Sequence, residues 1–542
     1  MRAVAPLPPK TLRLVTRLEA PDLAPKSSES GGGNDIAKRL FNAQLALLDA
    51  QVVARPYLAE SLPQLNTDTW KVFPDGRMET TYKLRPNLTW QDGKPLTTDD
   101  FVFAHRVYTA PGLRFSVAPQ DLIDAVTAPD PVTLVIQWKR LYADAGQLVY
   151  GDLDPLPAHL LATPFQTVGQ EPGSAEAFSH LPFWNEGYVG AGPFRLTRWE
   201  RGSFLEGEAF GGHALGKPRI DRIQVFFQGD ENVVLTRMLS GDLDLAPRLT
   251  LRFEHAQVLK RDWEPSGRGQ VLLSADSLIY NMVQSRPEYQ QEPALLDARV
   301  RKALAHTIDR QALVAGLFDG LGDPLTTFVP RNMPYFDEVE RTVTKYPYDA
   351  RRSEQLMAEA GFAKDRDGYY QSAAGRRLQP DFQVRATEQF VRGQTIMVDY
   401  WRRAGFFVQP SQLPEVQVDI SERHTFPAMA GQSAGGSEVE RLQRFASAEI
   451  GLATNRWRGS NRGGWSNPEY DRLWDGFKQT LDRPERNRLA VQMMRVLNDD
   501  LPSYVVYANF AVMAHTASLK GPQVETRETS APLWNIFEWE MS

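Results

Sequence analysis

The chain contains no cysteine. Disulfides, thiolate metal sites and cysteine nucleophiles are therefore excluded together. It also contains no run of about 18 apolar residues, so the sequence predicts no membrane-spanning helix. An excess of basic charge is missing as well, since the formal net charge is -6. That balance argues against a nucleic-acid-binding protein, because such proteins usually carry a basic domain or stripe.

Sequence motifs of enzymes are equally scarce. The chain has no G-x-S-x-G, no H-E-x-x-H, no P-loop and no C-x-x-C. Its eight histidines are scattered, with no pair spaced to bind a metal from one helix or strand. Acid pairs such as Asp152 and Asp154 could in principle serve a glycosidase, while Asp99-Asp100 is typical of a helix start. We therefore expect no catalysis, no cofactor and no metal site.

The length and composition are those of a soluble protein with more than one core. At 542 residues, two or three lobes are expected. A hydrophobic content of 42% and a charged content of 24% lie in the ordinary globular range.

The most informative stretch runs from Pro56 to Tyr108. Alternating polar and apolar residues predict a half-buried strand over 80–84. Two Asp-Gly dipeptides on either side of it predict tight turns, because glycine tolerates a positive φ. After the second turn, Thr97 or Thr98 can cap a helix that has acidic residues in its first turn.

The order of these parts, namely LAESL, DGR, YKLRP, WQDGKPLT and DDFVFAHRVY, is specific. It resembles the extracytoplasmic solute-binding proteins of ABC importers, in the branch for oligopeptides, dipeptides and nickel. The resemblance extends from about Thr11 to Tyr507. Three further matching stretches are Val189–Leu196, Asp297–Leu313 and Asn467–Leu473.

The resemblance implies an α/β, periplasmic-binding-protein-like fold of two lobes (a Venus flytrap), with an additional third domain and a two-strand hinge. It places lobe 1 in residues 1–55, 182–275 and 500–542, the additional domain in 56–181, and lobe 2 in 276–499. Such a protein captures a peptide or another small organic solute between its lobes by hinge closure and delivers it to a membrane ABC permease. We expect a monomer with no nucleic-acid partner.

The resemblance also implies which residues line the cleft. They follow the first strand, lie where the chain crosses between lobes, or lie on loops of the second lobe. Other interpretations remain open: the glycines suit a flexible loop, the tryptophans suit packing, and Arg385 suits a surface ion pair. The predicted ligand-binding residues are Gly32, Gly33, Asn34, Tyr280, Asn281, Arg385, Thr387, Met429, Ala430, Gln432, Trp457 and Trp465.

One departure from the family pattern bears on the ligand. Peptide binders of the family carry an aspartate that pairs with the peptide ammonium, whereas Ala428–Gly436 here contains no acid. A buried ammonium without a carboxylate is costly, which disfavours peptides with a free N-terminus unless Glu438 or another acid substitutes. Sparse histidines disfavour nickel. Sugars, opines, antibiotics and other small organic molecules remain open.

The N-terminal segment Met1–Pro6 lacks the apolar region of a signal peptide. Taken alone, it favours a cytoplasmic protein. The resemblance instead favours a periplasmic or extracytoplasmic chain whose leader has been removed. The alternative function is a cytoplasmic ligand-sensing regulator on the same fold, which normally needs an N-terminal DNA-binding domain.

Overall fold

A computed structural model describes residues 8–26, 34–113, 115, 119–322, 324–414, 419–524 and 533–542, with the backbone alone at 34 and 35. The predicted cleft residues Gly32 and Gly33 lie outside this part of the chain. The chain folds as two compact units, one formed by Met1–Ser274 with Ala511–Ser542 and the other by Ala275–Phe510. The predicted limits of the additional domain stay a prediction.

The first segment of the first unit contains both helices and strands, and its last strand continues into the second unit. In chain order they are β1 (Thr11–Thr16), α1 (Asn34–Arg39), β2 (Ala46–Leu48), β3 (Ala54–Pro56), β4 (Ala59–Ser61), β5 (Trp70–Val72), β6 (Met78–Leu84), α2 (Thr98–Tyr108), β7 (Ile123–Asp130), β8 (Thr133–Trp138), α3 (Ala158–Phe165), α4 (Ser174–Ser179), β9 (Phe194–Glu200), β10 (Phe204–Ala209), β11 (Arg222–Phe227), α5 (Glu231–Ser240), β12 (Leu245–Ala246), α6 (Phe253–Trp263) and β13 (Gly269–Val283).

One sheet of this unit runs in the order β4-β6-β8-β7, with β5 also paired to β6. The predicted strand over 80–84 is confirmed as part of β6, whose alternate residues are buried. The hydroxyl of Tyr82 donates to the carbonyl of Ala145 at 2.7 Å. The predicted helix start is confirmed too: Thr97 and Asp100 form a capping box at α2.

The other main sheet of the unit contains β12-β1-β11-β10-β9. The alternation of polar and apolar residues over Thr11–Val15 predicts a first strand, and it is confirmed as β1, which pairs in parallel with β11. The sequence pattern also predicts one helix with Ile36, Leu40, Leu45 and Leu48 on its apolar face, and this prediction is wrong. Helix α1 ends at Arg39, and the apolar run that includes Leu48 forms β2, antiparallel to β3. A short apolar run satisfies helix and strand patterns equally, and here strand pairing decides.

The second unit begins at Ala275 within β13 and ends at Phe510 within the long strand Ser503–Thr516. Its elements and those that follow are α7 (Ala298–His306), α8 (Arg310–Phe318), α9 (Phe336–Thr342), α10 (Ala350–Glu359), β14 (Phe362–Lys364), β15 (Tyr370–Ser372), β16 (Asp381–Arg385), α11 (Glu388–Ala404), β17 (Gln409–Leu413), β18 (Met429–Ala434), α12 (Glu438–Gln443), α13 (Pro468–Gln479), α14 (Arg483–Asp500), β19 (Ser503–Thr516), β20 (Leu519–Lys520) and β21 (Glu540–Met541).

Side-chain caps start several helices of the second unit where the sequence predicts them. Asp309 accepts the backbone N–H of Ala312 at 2.9 Å, and Asp349 accepts that of Arg352 at 2.9 Å. Gly361 then ends α10 with a φ of 84°. Helical spacing predicts one apolar face with Val300, Ala303 and Leu304 in α7, and all three are fully buried, which anchors the helix to its unit.

The sheet of the second unit runs β17-β16-β18-β13. Strands β13 and β18 are antiparallel, whereas β16 is parallel to both β17 and β18. Among the described helices of the whole chain, none is long and apolar enough to cross a membrane.

Candidate ligand-binding site

The register of β13 and β18 sorts the predicted residues onto two faces of the sheet. Tyr280 lies opposite Gln432, and Asn281 lies opposite Gly431. Directly opposed residues share a face, and successive residues alternate between faces. Tyr280 and Gln432 therefore share one side of the sheet, called the Tyr280 face below, and Asn281 belongs to the other.

Two arginines reach the polar residues of the Tyr280 face. Arg462 Nη1 donates to Gln432 Oε1 at 2.8 Å. Arg444 Nη1 lies 3.5 Å from the hydroxyl oxygen of Tyr280. The Tyr280 ring itself meets Phe328 edge to face at 5.0 Å, which fixes its orientation. This face thus combines a fixed phenol and an amide with two guanidinium groups.

Further positive charge surrounds Arg462. Burial lowers the pKa of the Arg462 guanidinium, the Tyr280 phenol partly offsets this, and the charges of Arg385, Arg423 and Arg444 lower it further. A cavity of about 10 Å³ lies among Arg385, Arg423 and Gln432. That volume holds about one water molecule, so a solute can contact these groups only from outside the cavity.

The loop that carries Arg462 is held rigidly by its own hydrogen bonds. Asn461 Nδ2 donates to the carbonyl of Ala446 at 3.1 Å and to that of Trp465 at 2.8 Å. Arg286 Nη2 donates to the Arg462 carbonyl at 3.0 Å. Gly464 has a φ of 68°, and a Cβ there would lie 2.5 Å from Arg286 Cγ, so glycine is required for this approach. The Arg462 side chain is therefore presented by a preorganised segment.

His424 lies in the same positive surroundings. Burial lowers the pKa of its ring to about 4, and the nearby charges of Arg462, Arg286 and Arg423 act in the same direction. The imidazole is therefore neutral at neutral pH. Among the described residues, no group of three histidine or acidic side chains is arranged to hold a metal ion.

The opposite face of the sheet is apolar core. Asn281 is fully buried, and its Nδ2 lies 3.3 Å from the Met397 sulfur. Met429 is also fully buried, with its sulfur 3.9 Å from the Tyr504 hydroxyl. The structure thus separates Asn281 and Met429 from the neighbouring Tyr280. Ala430 lies on the Tyr280 face, where it belongs to a buried hydrophobic cluster that also contains Tyr280, Met282 and Phe328.

The two predicted tryptophans occupy different environments. Trp465 is buried, donates its indole N–H to Asp500 and meets the ring of Tyr470. Trp457 is half-buried, has a φ of 59° and lies 5.8 Å from the His424 ring, centroid to centroid. Trp465 is thus placed in the core of the unit, and Trp457 beside the arginine-rich region.

The remaining predicted residues are at element ends. Arg385 is the half-buried last residue of β16, and Thr387 is the N-terminal flanking residue of α11 without a side-chain cap bond. Asn34 is the first residue of α1.

Arg423, Arg444 and Arg462 are functional candidates that sequence reasoning missed. They are far apart in the chain and meet only through the fold. The acid-free segment Ala428–Gly436, followed by the arginine-rich run over residues 456–462, was the signal that could have pointed to them.

Comparison with known proteins gives one family and several relatives. The family model described as bacterial extracellular solute-binding proteins, family 5, matches residues 60–440. The oligopeptide-binding protein AppA of Bacillus subtilis (strain 168) is 23% identical over 535 residues, covering 94% of this chain and 88% of that protein.

Solved structures agree in fold. The oligopeptide-binding protein of Thermus thermophilus, complexed with a pentapeptide, has a TM-score of 0.74 at 21% identity, covering 98% of this chain and 96% of that one. NikZ of Campylobacter jejuni, in complex with Ni(L-His), has a TM-score of 0.76 at 20% identity, covering 98% of this chain and 100% of that one. At these identities the likeness shows the fold alone, and the predicted α/β solute-binding fold is confirmed.

Proposed function

Because this chain belongs to the family 5 bacterial extracellular solute-binding proteins, we propose that it captures a small organic solute or peptide and delivers it to a membrane ABC permease. The observation that carries this proposal is the match of the family model to residues 60–440, a stretch that includes Tyr280 and Gln432. Relatives of similar length, such as AppA of Bacillus subtilis, are named as binding proteins, which supports the same role. These relatives do not support the alternative function, a cytoplasmic ligand-sensing regulator.

The proposed place of binding in the second unit is the Tyr280 face. A fixed phenol, an amide and adjacent guanidinium groups supply a few convergent polar contacts, as ligand sites usually do. The solute is held there by hydrogen bonds and charge and leaves unchanged, so a turnover assay should return the compound that was added. We place the protein outside the cytoplasm, with the permease as its partner.

Native mass spectrometry of the purified protein tests solute capture first, because a retained compound identifies the ligand directly. Small-angle scattering then tests the mechanism that the family resemblance implies. Closure around a ligand should reduce the radius of gyration when that compound is returned to stripped protein. An unchanged scattering profile at saturation, or a chemically altered compound, would contradict the proposed function.

A further inference from the structure

Arg423, Arg444 and Arg462, called the arginine trio below, have only neutral partners among the described side chains and carbonyls. Arg462 donates to Gln432. Arg444 reaches the carbonyl oxygens of Ser433 and Gly435 only at 3.4 Å each. The Nε atoms of Arg423 and Arg444 are buried without a hydrogen-bond partner in this part of the chain. The guanidinium groups of the trio therefore make fewer hydrogen bonds than they can, and none to a carboxylate of the described residues.

Other arginines of the same unit show the usual arrangement. Arg301 pairs with Asp500 at 2.8 Å, and Arg377 pairs with Asp365 at 2.6 Å. Arg286 has no carboxylate partner among the residues that the structure describes, but it donates to the carbonyl of Gly451 at 2.9 Å and to further carbonyls, as a structural arginine does. Among the described residues the trio has no carboxylate partner, and its only carbonyl contacts are the two of Arg444 at 3.4 Å, so packing alone does not account for it.

Like charges gathered in partly buried positions oppose folding, because their repulsion is less screened than in water. Burial is the main cause of the lowered pKa of Arg462, and the charges of Arg385, Arg423 and Arg444 lower it further. Ionisable groups perturbed in this way cluster at functional sites. An anion bound there would remove the repulsion.

We propose that the solute carries at least two negative charges, as carboxylate or phosphate groups, and that the arginine trio binds them. Guanidinium groups hold both oxyanions through paired N–H donors. The Tyr280 hydroxyl and the Gln432 amide add neutral contacts on the same face. The segment Ala428–Gly436 offers no acid for an ammonium, which disfavours a zwitterionic peptide. This inference rests on the proposed function and names its substrate class.

Two small anions test the inference: citrate, a tricarboxylate, by calorimetry, and pyrophosphate by ³¹P NMR titration. Wild-type protein should bind at least one of them, and each of R423Q, R444Q and R462Q should weaken binding about tenfold or more. R458Q is the matched control, because Arg458 is exposed on the same loop and its removal changes the net charge equally. Preference between the two anions distinguishes a carboxylate ligand from a phosphorylated one.

Thermal unfolding separates binding from structure. Removing one charge of the trio should leave the midpoint unchanged or raise it, whereas loss of a structural arginine would lower it. Equal affinity of wild type and the triple variant for both anions, including no binding by either, would overturn the inference. So would retention of a neutral or cationic compound in native mass spectrometry, which would leave solute capture intact. Failure of any retained compound to compact the protein would instead count against capture itself.

Discussion

The buried carboxyl group of Asp154 should make the first unit less stable as pH rises. Asp154 is fully buried, and one of its oxygens accepts the Gly151 N–H at 2.8 Å. Burial raises its pKa to about 7, even though Lys26 and Arg39 favour the charged form. The folded protein therefore keeps a proton that the unfolded chain loses near its ordinary pKa of 3.8. Stability from this group is present below that value and is lost as pH rises toward 7.

The size of the effect follows from the two pKa values. A difference between about 7 in the folded state and 3.8 in the unfolded state corresponds to roughly 4 kcal/mol at most. Neighbouring Asp152, whose pKa burial also raises to about 7, interacts with Asp154, so one substitution should remove only part of the combined dependence. Asparagine keeps the shape and the acceptor for Gly151 without the charge. D154N should therefore be more stable than wild type at both pH values, with an advantage up to about 3 kcal/mol larger at pH 8 than at pH 5.

Urea unfolding followed by tryptophan fluorescence at pH 5 and pH 8 measures this difference. Amide exchange of Gly151 reports on the same group locally, because its N–H is the donor to Asp154. D124N is the control, since Asp124 is exposed on β7 and should leave the pH profile unchanged. Parallel wild-type and D154N profiles, or a wild-type protein that gains stability from pH 5 to pH 8, would refute the reasoning.

Two substitutions test the loop and the core of the second unit. G464A should lower the free energy of unfolding by roughly 2–3 kcal/mol, because of its positive φ and the approach to Arg286. G368A, with a positive φ but open space around its Cβ, should cost about 1 kcal/mol; equal losses in urea unfolding would contradict the packing argument. W465F should lose roughly 2 kcal/mol with its Asp500 bond, while calorimetry shows unchanged citrate affinity. A lower citrate affinity of W465F would instead show that Trp465 contributes to ligand binding.

Local chemistry explains why much of the fold was predictable. The caps at Asp309 and Asp349 act within three residues of the chain, so the sequence contains the whole interaction. Strand β6 was equally visible, because its alternation places one face in the core. Such signals fix where elements begin and end. They do not fix which elements meet.

Predicting the binding site requires knowing which elements contact one another. The resemblance places both Tyr280 and Asn281 in the cleft, where the chain crosses between lobes, yet strand alternation sends Asn281 into the core beside Met397. The alternation rule was available from the sequence, and the register with β18 was not. Likewise, Arg423 and Arg462 converge through the placement of separate loops around one sheet, which no local pattern encodes.

The second unit is one uninterrupted stretch of polypeptide inserted between two parts of the first. During synthesis, β12 therefore stays unpaired on this side until β19 has been made, because Leu245 and Ala246 pair with His515 and Ala514 of β19. The ribosome completes Ala275–Phe510 before that edge of the earlier sheet can close. Since β12 spans only Leu245–Ala246, it is a poor template for intermolecular pairing during this delay. We therefore expect the inserted unit to mature first on the nascent chain, with the last β-ladder forming only near release.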